Sequence, residues 1–209
     1  MEIKFILMSI LNALKKLHEF NFIHGGIQPA SIFLKKDGEP ILMCFTSARQ
    51  IVAKQLNEDA SALINVYSSL EQYEPATATG PATDFYSLGA TLYECITHKE
   101  PVSAQNRLTA INRGESDPLI SLAELPGITL GQSVIKAIDW MIKLNYSDRP
   151  QSVTELMTSI EKVMTKDQAQ RGAKFMRNIG GHLFARVDRA QKLGAHFVKG
   201  FGEFAQFII

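Results

Sequence analysis

The chain has 209 residues, 45% of them hydrophobic, and a formal net charge of +1. This length is enough for one domain with a full hydrophobic core, and the composition is ordinary for a soluble globular protein. The chain contains no uncharged apolar run of about 18 residues, so the sequence predicts no transmembrane helix.

The charge is unevenly distributed along the chain. Residues 166–209 contain eight Lys/Arg and three Asp/Glu, a net charge of +5, whereas the rest contains 14 basic and 18 acidic residues, a net charge of −4. A mildly acidic body therefore carries a basic tail, and such a tail is typical of proteins with an acidic partner, a membrane or a nucleic acid as target. The two cysteines, Cys44 and Cys95, lack metal-ligand spacing, and we interpret them as free thiols in a reducing cytoplasm.

The first predicted helix covers residues 3–20. Its apolar side chains recur every three or four residues, at Ile6, Ile10, Leu14 and Leu17, while charged side chains take the other face. Asn21 is the predicted stop of this helix. No small-residue cleavage site follows the apolar start, so we interpret this segment as a helix and not as a signal peptide.

A β-hairpin is predicted next. Two short apolar runs, Ser31–Leu34 and Pro40–Phe45, flank Asp37-Gly38, and an Asp-Gly pair between apolar runs is a strong hairpin signal.

Four helices are predicted in the second half of the body. One starts near Pro81 and is apolar on almost all sides, so we expect it to be buried. Others cover about 103–113, ended by Gly114, and 130–144. Ser152 with Glu155 forms a capping box for a final helix that extends to about residue 163.

The stretch His24-Gly25-Gly26-Ile27-Gln28-Pro29-Ala30-Ser31-Ile32-Phe33-Leu34 resembles the catalytic loop of protein kinases, His-Arg-Asp-(Leu/Ile)-Lys-Pro-x-Asn-(Ile/Val). Further segments resemble kinase motifs in the family's order. These are Cys44-Phe45-Thr46 for Asp-Phe-Gly, residues 67–73 for the Ala-Pro-Glu segment, 80–94 for the buried Asp-x-(Tyr/Trp)-Ser-Leu-Gly helix, and 145–152 for the "P-x-D-R-P-Q-S" signature of bacterial Ser/Thr kinases. The chain is thus similar to the C-terminal lobe of bacterial eukaryotic-like Ser/Thr kinases over 1–165, with residues 166–209 as a basic amphipathic helical tail. The resemblance implies a mainly α fold with a small β-hairpin and no N-terminal lobe.

The resemblance also implies contacts that hold the fold. Glu71 should pair with Arg149 as a buried ion pair, and Asp84 should accept backbone hydrogen bonds from His24 and its neighbour. His24 and Phe45 match the two members of the apolar regulatory spine that this lobe supplies.

The residues that carry kinase chemistry are replaced. Gly26 occupies the position of the catalytic Asp, Gln28 that of the loop Lys, Ser31 that of the metal-binding Asn, and Cys44 that of the Asp of Asp-Phe-Gly. Mg²⁺ prefers hard oxygen ligands, usually carboxylates, and phosphoryl transfer depends on the charge that Mg²⁺ neutralises. We therefore expect no metal, no cofactor and no catalysis, that is, a pseudokinase. We expect Cys44 to be an inert core thiol.

The tail leaves three alternatives open. Its apolar stripe and basic residues favour helices that pack on the lobe, an interfacial membrane helix, or docking to a partner protein. The tail residues that would contact a membrane or partner are Lys174, Arg177, Arg186, Arg189, Phe197 and Phe201.

Three functional hypotheses follow. The first is a pseudokinase lobe that acts as a protein-binding or scaffolding module. The second is a fragment of a Ser/Thr kinase whose ATP-binding lobe lies on another or longer chain. The third is a peripheral membrane protein that binds an anionic surface through its tail. We expect a cytoplasmic protein, on the inner membrane face in the third case, with a protein partner and no nucleic acid.

Overall fold

The computed structural model describes residues 3–44, 64–74 and 79–162. The chain divides into two units, Met1–Val163 and Met164–Ile209, and all described residues belong to the first. The described elements are listed here in chain order: α1 (Ile3–Glu19), β1 (Ile32–Leu34), β2 (Pro40–Leu42), α2 (Pro81–Thr97), α3 (Ala104–Asn112), α4 (Gln132–Met141) and α5 (153–162). The expected mainly helical architecture is confirmed.

Helix α1 lies against the core through a face that differs slightly from the predicted one. Its buried residues are Leu7, Ile10, Leu11 and Leu14, which recur at helical spacing. The apolar stripe was predicted to start at Ile6, but that residue is only half-buried, and Phe5 is exposed. Helix α1 ends at Glu19, and the predicted stop, Asn21, follows two residues later with a left-handed φ of 58°, a conformation that Asn tolerates better than most residues.

Strands β1 and β2 form the predicted antiparallel hairpin. Phe33 pairs with Ile41, and the turn between the strands contains Gly38 at φ +85°, where a residue without Cβ avoids strain. The strands are shorter than predicted because Ser31 belongs to a 3₁₀ turn and β2 ends at Leu42. Phe45 lies outside the described residues. β2 packs against α1.

Helix α2 is the centre of the lobe. Every residue from Ala82 to Tyr93 is buried, which confirms the prediction of a helix apolar on almost all sides. It contacts both α1 and α4. The approach to α4 is close at Gly89, where an added Cβ would lie 2.7 Å from Cγ2 of Ile142 and 2.9 Å from Cβ of Met141.

Helices α3 and α4 follow the predictions with shorter bounds, and α5 is described up to residue 162. In α4, the predicted apolar side of Val134, Ile135, Ile138, Met141 and Ile142 is buried. Ser103 caps α3 by accepting a hydrogen bond from the Asn106 amide, and Ser152 accepts one from Glu155.

The predicted capping box is only half formed. The carboxylate of Glu155 accepts from the Gln151 amide, one residue earlier than the box requires.

Within residues 3–44, 64–74 and 79–162, no helix is long and apolar enough to cross a membrane.

Candidate functional site

A buried carboxylate of helix α2 holds the loop between α1 and β1. Asp84, in the first turn of α2, is fully buried and accepts three hydrogen bonds. Its Oδ2 accepts from the His24 amide and from Nε2 of His18, each at 2.9 Å, and its Oδ1 accepts from the Gly25 amide at 2.8 Å. Gly25 has a φ of 72°, the left-handed region that glycine adopts without strain. Helix α2 therefore fixes the start of the loop.

His24 links the loop to the end of the hairpin. Its Nδ1 accepts from the Gly26 amide at 3.3 Å, so Nε2 carries the proton and donates to the Met43 carbonyl at 3.0 Å. Burial lowers the pKa of His24, and the Met43 hydrogen bond and the Asp84 charge offset this only in part. His24 is thus a neutral, buried connector between the loop and β2.

Ser31 closes the loop by bonding to Gln28. Its hydroxyl donates to the Gln28 carbonyl at 2.8 Å and accepts from the Gln28 amide at 2.9 Å. The Ser31 carbonyl accepts from the Met43 amide, which brings the two hairpin ends together and places Cys44 one residue further on. The side chain of Gln28 accepts from Nδ2 of Asn65 at 3.1 Å.

These residues do not fit Mg²⁺, the metal that the kinase resemblance implies. The Ser31 oxygen is buried and engaged twice by Gln28, Gly26 has no side chain, and the Cys44 thiol is a soft ligand that suits other metals. In the part of the chain that the structure describes, no group of three or more His, Cys, Asp or Glu side chains can hold a metal ion.

Cys44 differs from its predicted environment. It is exposed, with a left-handed φ of 61°, and is not a core thiol. Cys44 lies two residues after the end of β2 at Leu42, so it is outside both the strand and the buried interior. Cys95 is a free thiol as well.

A second buried network ties segment 64–74 to the chain that follows α4. Arg149 donates to both carboxylate oxygens of Glu71, at 2.7 and 3.0 Å, and also to the carbonyls of Lys143, Leu144 and Ala82. Burial alone would raise the pKa of Glu71, but the hydrogen bond and charge of Arg149 outweigh it, and the pKa is lowered. The guanidinium also stacks over Tyr86, 4.9 Å from the ring centre.

Sequence reasoning missed several residues of these networks. His18 reaches Asp84, Gln72 donates to the Gly25 carbonyl at 2.8 Å, and Arg107 pairs with Asp117 while it also contacts Tyr86. The position of His18 on the same α1 face as Leu14 was a signal that its side chain is turned towards the core. The tail residues proposed for membrane or partner contacts, from Lys174 to Phe201, lie outside the described residues.

Comparison with known proteins decides the family. A profile of the protein kinase domain matches residues 1–171. This chain belongs to the protein kinase family. The predicted kinase resemblance is therefore confirmed at the level of the family.

The kinase relatives include bacterial Ser/Thr kinases, as expected. The chain is 31% identical over 101 residues to the serine/threonine-protein kinase PknA of Nostoc, a match that covers 46% of this chain and 18% of PknA. It is 27% identical over 125 residues to PknL of Mycobacterium tuberculosis, covering 59% of this chain and 31% of PknL. It is 31% identical over 107 residues to a probable serine/threonine-protein kinase of Dictyostelium discoideum, covering 51% of this chain and 23% of that protein. The chain thus spans less than a third of each of these three kinases.

A solved structure confirms the kinase-like fold. The structure titled "PpkA-294 apo form" superposes with a TM-score of 0.61 and 26% sequence identity, covering 73% of this chain and 51% of that one.

The prediction that this chain is not an enzyme is contradicted by these comparisons. The profile matches over 1–171, and the relatives above are named as Ser/Thr kinases. The prediction rested on four replaced side chains of the loop and hairpin. Membership of the family depends on the sequence over the whole matched region, so four side chains do not separate the chain from its family.

Proposed function

We propose that this kinase-family chain is the helical, protein-binding lobe of a serine/threonine protein kinase. The ATP-binding lobe belongs to a longer gene product or to a second chain. In this role the chain acts as a scaffold, presenting surfaces to the ATP-binding lobe and to protein partners. The observation that carries the proposal is the apolar outer face of the hairpin.

The hairpin exposes apolar side chains that a lone lobe has no reason to leave in water. Phe33 and Ile41 are partners in the strand register, so their side chains leave the same face, and they are 54% and 38% exposed. Met43, two residues beyond Ile41, is also exposed. A two-stranded hairpin is only marginally stable by itself, and a contiguous exposed apolar patch typically marks an interface.

The frame beneath this face is rigid. The hairpin is tied at its open end to His24 and Ser31, and the loop is tied to α2 through Asp84. Buried polar groups that are fully bonded hold one conformation well. A second lobe that docks on the hairpin would therefore meet a preformed surface.

The length of the similar proteins supports the proposal of a second, ATP-binding lobe. The matched region is half of the PpkA chain and less than a third of the three curated kinases above. Those proteins contain further sequence that can supply an ATP-binding lobe.

The proposal is tested by photocrosslinking in the source cells. A photoreactive benzoyl-phenylalanine replaces Phe33 in one variant and Leu108 in the other, which is 37% exposed on α3. We expect the probe at position 33 to crosslink to a segment of an ATP-binding kinase lobe, and the probe at position 108 not to. Equal labelling at both positions, or none at position 33, would contradict the proposal.

A further inference from the structure

A turn with two exposed aromatic rings follows α1. We define the aromatic turn as Phe20, Asn21 and Phe22. Phe20 is 73% exposed and Phe22 is 64% exposed, the largest exposed fractions among the large apolar side chains of the described residues. Burial of large apolar side chains stabilises a folded protein, so the exposure of both rings is unfavourable in the isolated chain.

The aromatic turn has a fixed backbone. The Phe22 amide donates to the Leu17 carbonyl at 3.0 Å, and the Asn21 amide donates to the His18 carbonyl at 3.0 Å. With Asn21 in the left-handed region, these two bonds form the Schellman motif that ends many helices. His18 is anchored in turn to the buried Asp84. The two rings are therefore presented by a rigid support, and a partner that binds them pays little ordering entropy.

Basic side chains accompany the rings. Lys15 and Lys16 are exposed near the C-terminal end of α1, and Lys16 is in its last turn. Lys16 also contacts Glu19 at 3.2 Å, while Lys15 makes no ion pair within the described part of the chain.

We propose that the aromatic turn, with Lys15 and Lys16, is a docking site for a partner protein that presents an apolar pocket beside acidic side chains. The two rings are the anchors, and the lysines face the acidic rim. A rigid aromatic anchor with a charged periphery is typical of protein–protein hot spots. Glu19 lies beside Lys16 in the same surface, and a patch with both signs of charge suits a protein, which can place its charges individually, better than a uniformly anionic membrane. This inference rests on the proposed protein-binding role of the lobe.

The test compares three double variants of the full chain. Phe20→Ser with Phe22→Ser removes the anchors, and Lys15→Glu with Lys16→Glu reverses the rim charge. Leu108→Ser with Ile111→Ser is the matched control, because both residues are exposed apolar side chains on another helix, α3. The Schellman bonds use backbone atoms only, so the first variant should fold, and circular dichroism checks this.

Fluorescence anisotropy measures binding to two labelled peptides and to vesicles. One short peptide alternates Leu and Trp with Glu, the second has Lys in place of Glu, and the vesicles contain phosphatidylglycerol. We expect the acidic peptide to bind the natural chain best. Loss of both rings should weaken this binding by about tenfold or more, since hot-spot truncations cost more than 1 kcal/mol each. The Lys15→Glu, Lys16→Glu variant should bind the acidic peptide more weakly, and its affinity should depend less on salt. The affinity of the Leu108→Ser, Ile111→Ser control should stay within about twofold of that of the natural chain.

Several results would overturn the inference. One is equal binding by the ring-deleted variant, and another is preference for the basic peptide. Binding to vesicles but not to the acidic peptide would assign the turn to a membrane. Ring-dependent dimers in light scattering would make a second copy the occupant. The hairpin variant Phe33→Ser with Ile41→Ser separates the two proposals. If this variant loses the ATP-binding lobe but still binds the acidic peptide, the hairpin and the aromatic turn are separate interfaces, and failure of one proposal does not decide the other.

Discussion

Asp84 is the residue on which the loop geometry depends most. It is fully buried, and its two oxygens receive three donors. A carboxylate can accept all three without reorientation, whereas an amide of the same size presents an NH₂ group to at least one donor.

Replacement of Asp84 by Asn should therefore destabilise the protein by about 2–4 kcal/mol, since a buried donor loses its partner. Urea unfolding measures the change. Glu115→Gln, at an exposed carboxylate, is the control and should change stability by less than about 0.5 kcal/mol. An equally small effect of Asp84→Asn would show that the three hydrogen bonds do not hold the loop.

His24 should make the protein less stable in mild acid. Burial lowers its pKa below the ordinary value of 6.5, so the unfolded chain binds the proton more readily than the folded one. Stability is then greatest above pH 6.5 and falls as the pH drops below it.

Unfolding midpoints between about pH 5 and 8 test this, because the histidine titrates in that window. His24→Gln can still donate to the Met43 carbonyl but does not titrate. The variant should show a shallower pH dependence than the natural chain. Parallel curves would remove His24 as the source.

Glu71 and Arg149 join elements that are distant in sequence. The pair connects segment 64–74 to the chain after α4, and the guanidinium also satisfies three backbone carbonyls. Because both side chains are buried, removal of either partner would leave the other charge buried and unpaired.

Glu71→Gln should therefore cost about 3–5 kcal/mol, because it leaves a buried guanidinium charge uncompensated. The exposed pair Lys16–Glu19 provides the comparison, and Glu19→Gln should cost less than about 1 kcal/mol. Thermal unfolding of both variants gives the contrast, and similar shifts in Tm would argue against a structural role for the buried pair.

Helices α2 and α4 approach each other closely at Gly89. Ala normally stabilises a helix by about 1 kcal/mol relative to Gly. Here the added Cβ meets Ile142 and Met141 at less than 3 Å, and overpacking of a core typically costs about 1–3 kcal/mol.

We expect Gly89→Ala to lower stability in urea unfolding. In combination with Ile142→Ala, which removes the nearer contact, the loss should be smaller than the sum of the two single losses. Additive losses, or a stabilised Gly89→Ala variant, would mean that the helices have room to separate.

At the scale of the whole molecule, the structural features that depend on neighbouring residues along the chain were predictable from the sequence. Helix existence, the Asp-Gly hairpin and the burial of α2 follow from periodicity and turn chemistry. The bounds were less predictable: α4 extends over Gln132–Met141 and not 130–144. The carbonyls of Lys143 and Leu144, just after α4, accept from Arg149, a contact that the local pattern does not reveal.

The site itself was predictable only through motifs. The resemblance pointed to Asp84, Glu71 and Arg149, but periodicity alone gives no reason to join residues some sixty positions apart, such as His24 and Asp84. The exposure of Cys44 and of the aromatic turn depends on where β2 and α1 end, which the sequence leaves uncertain. The inference from four replaced side chains to the absence of an enzyme was wrong, because family membership extends over the whole matched region.

Hydrogen exchange of the hairpin tests the central claim most directly. The measurement compares the amides of residues 32–34, 41 and 42 in the 209-residue chain with those in the longest product of its gene or in its complex with an ATP-binding lobe. If the hairpin receives that lobe, these amides exchange more slowly in the larger assembly, while those of α3 are unchanged. Identical hairpin exchange in both samples would contradict the account.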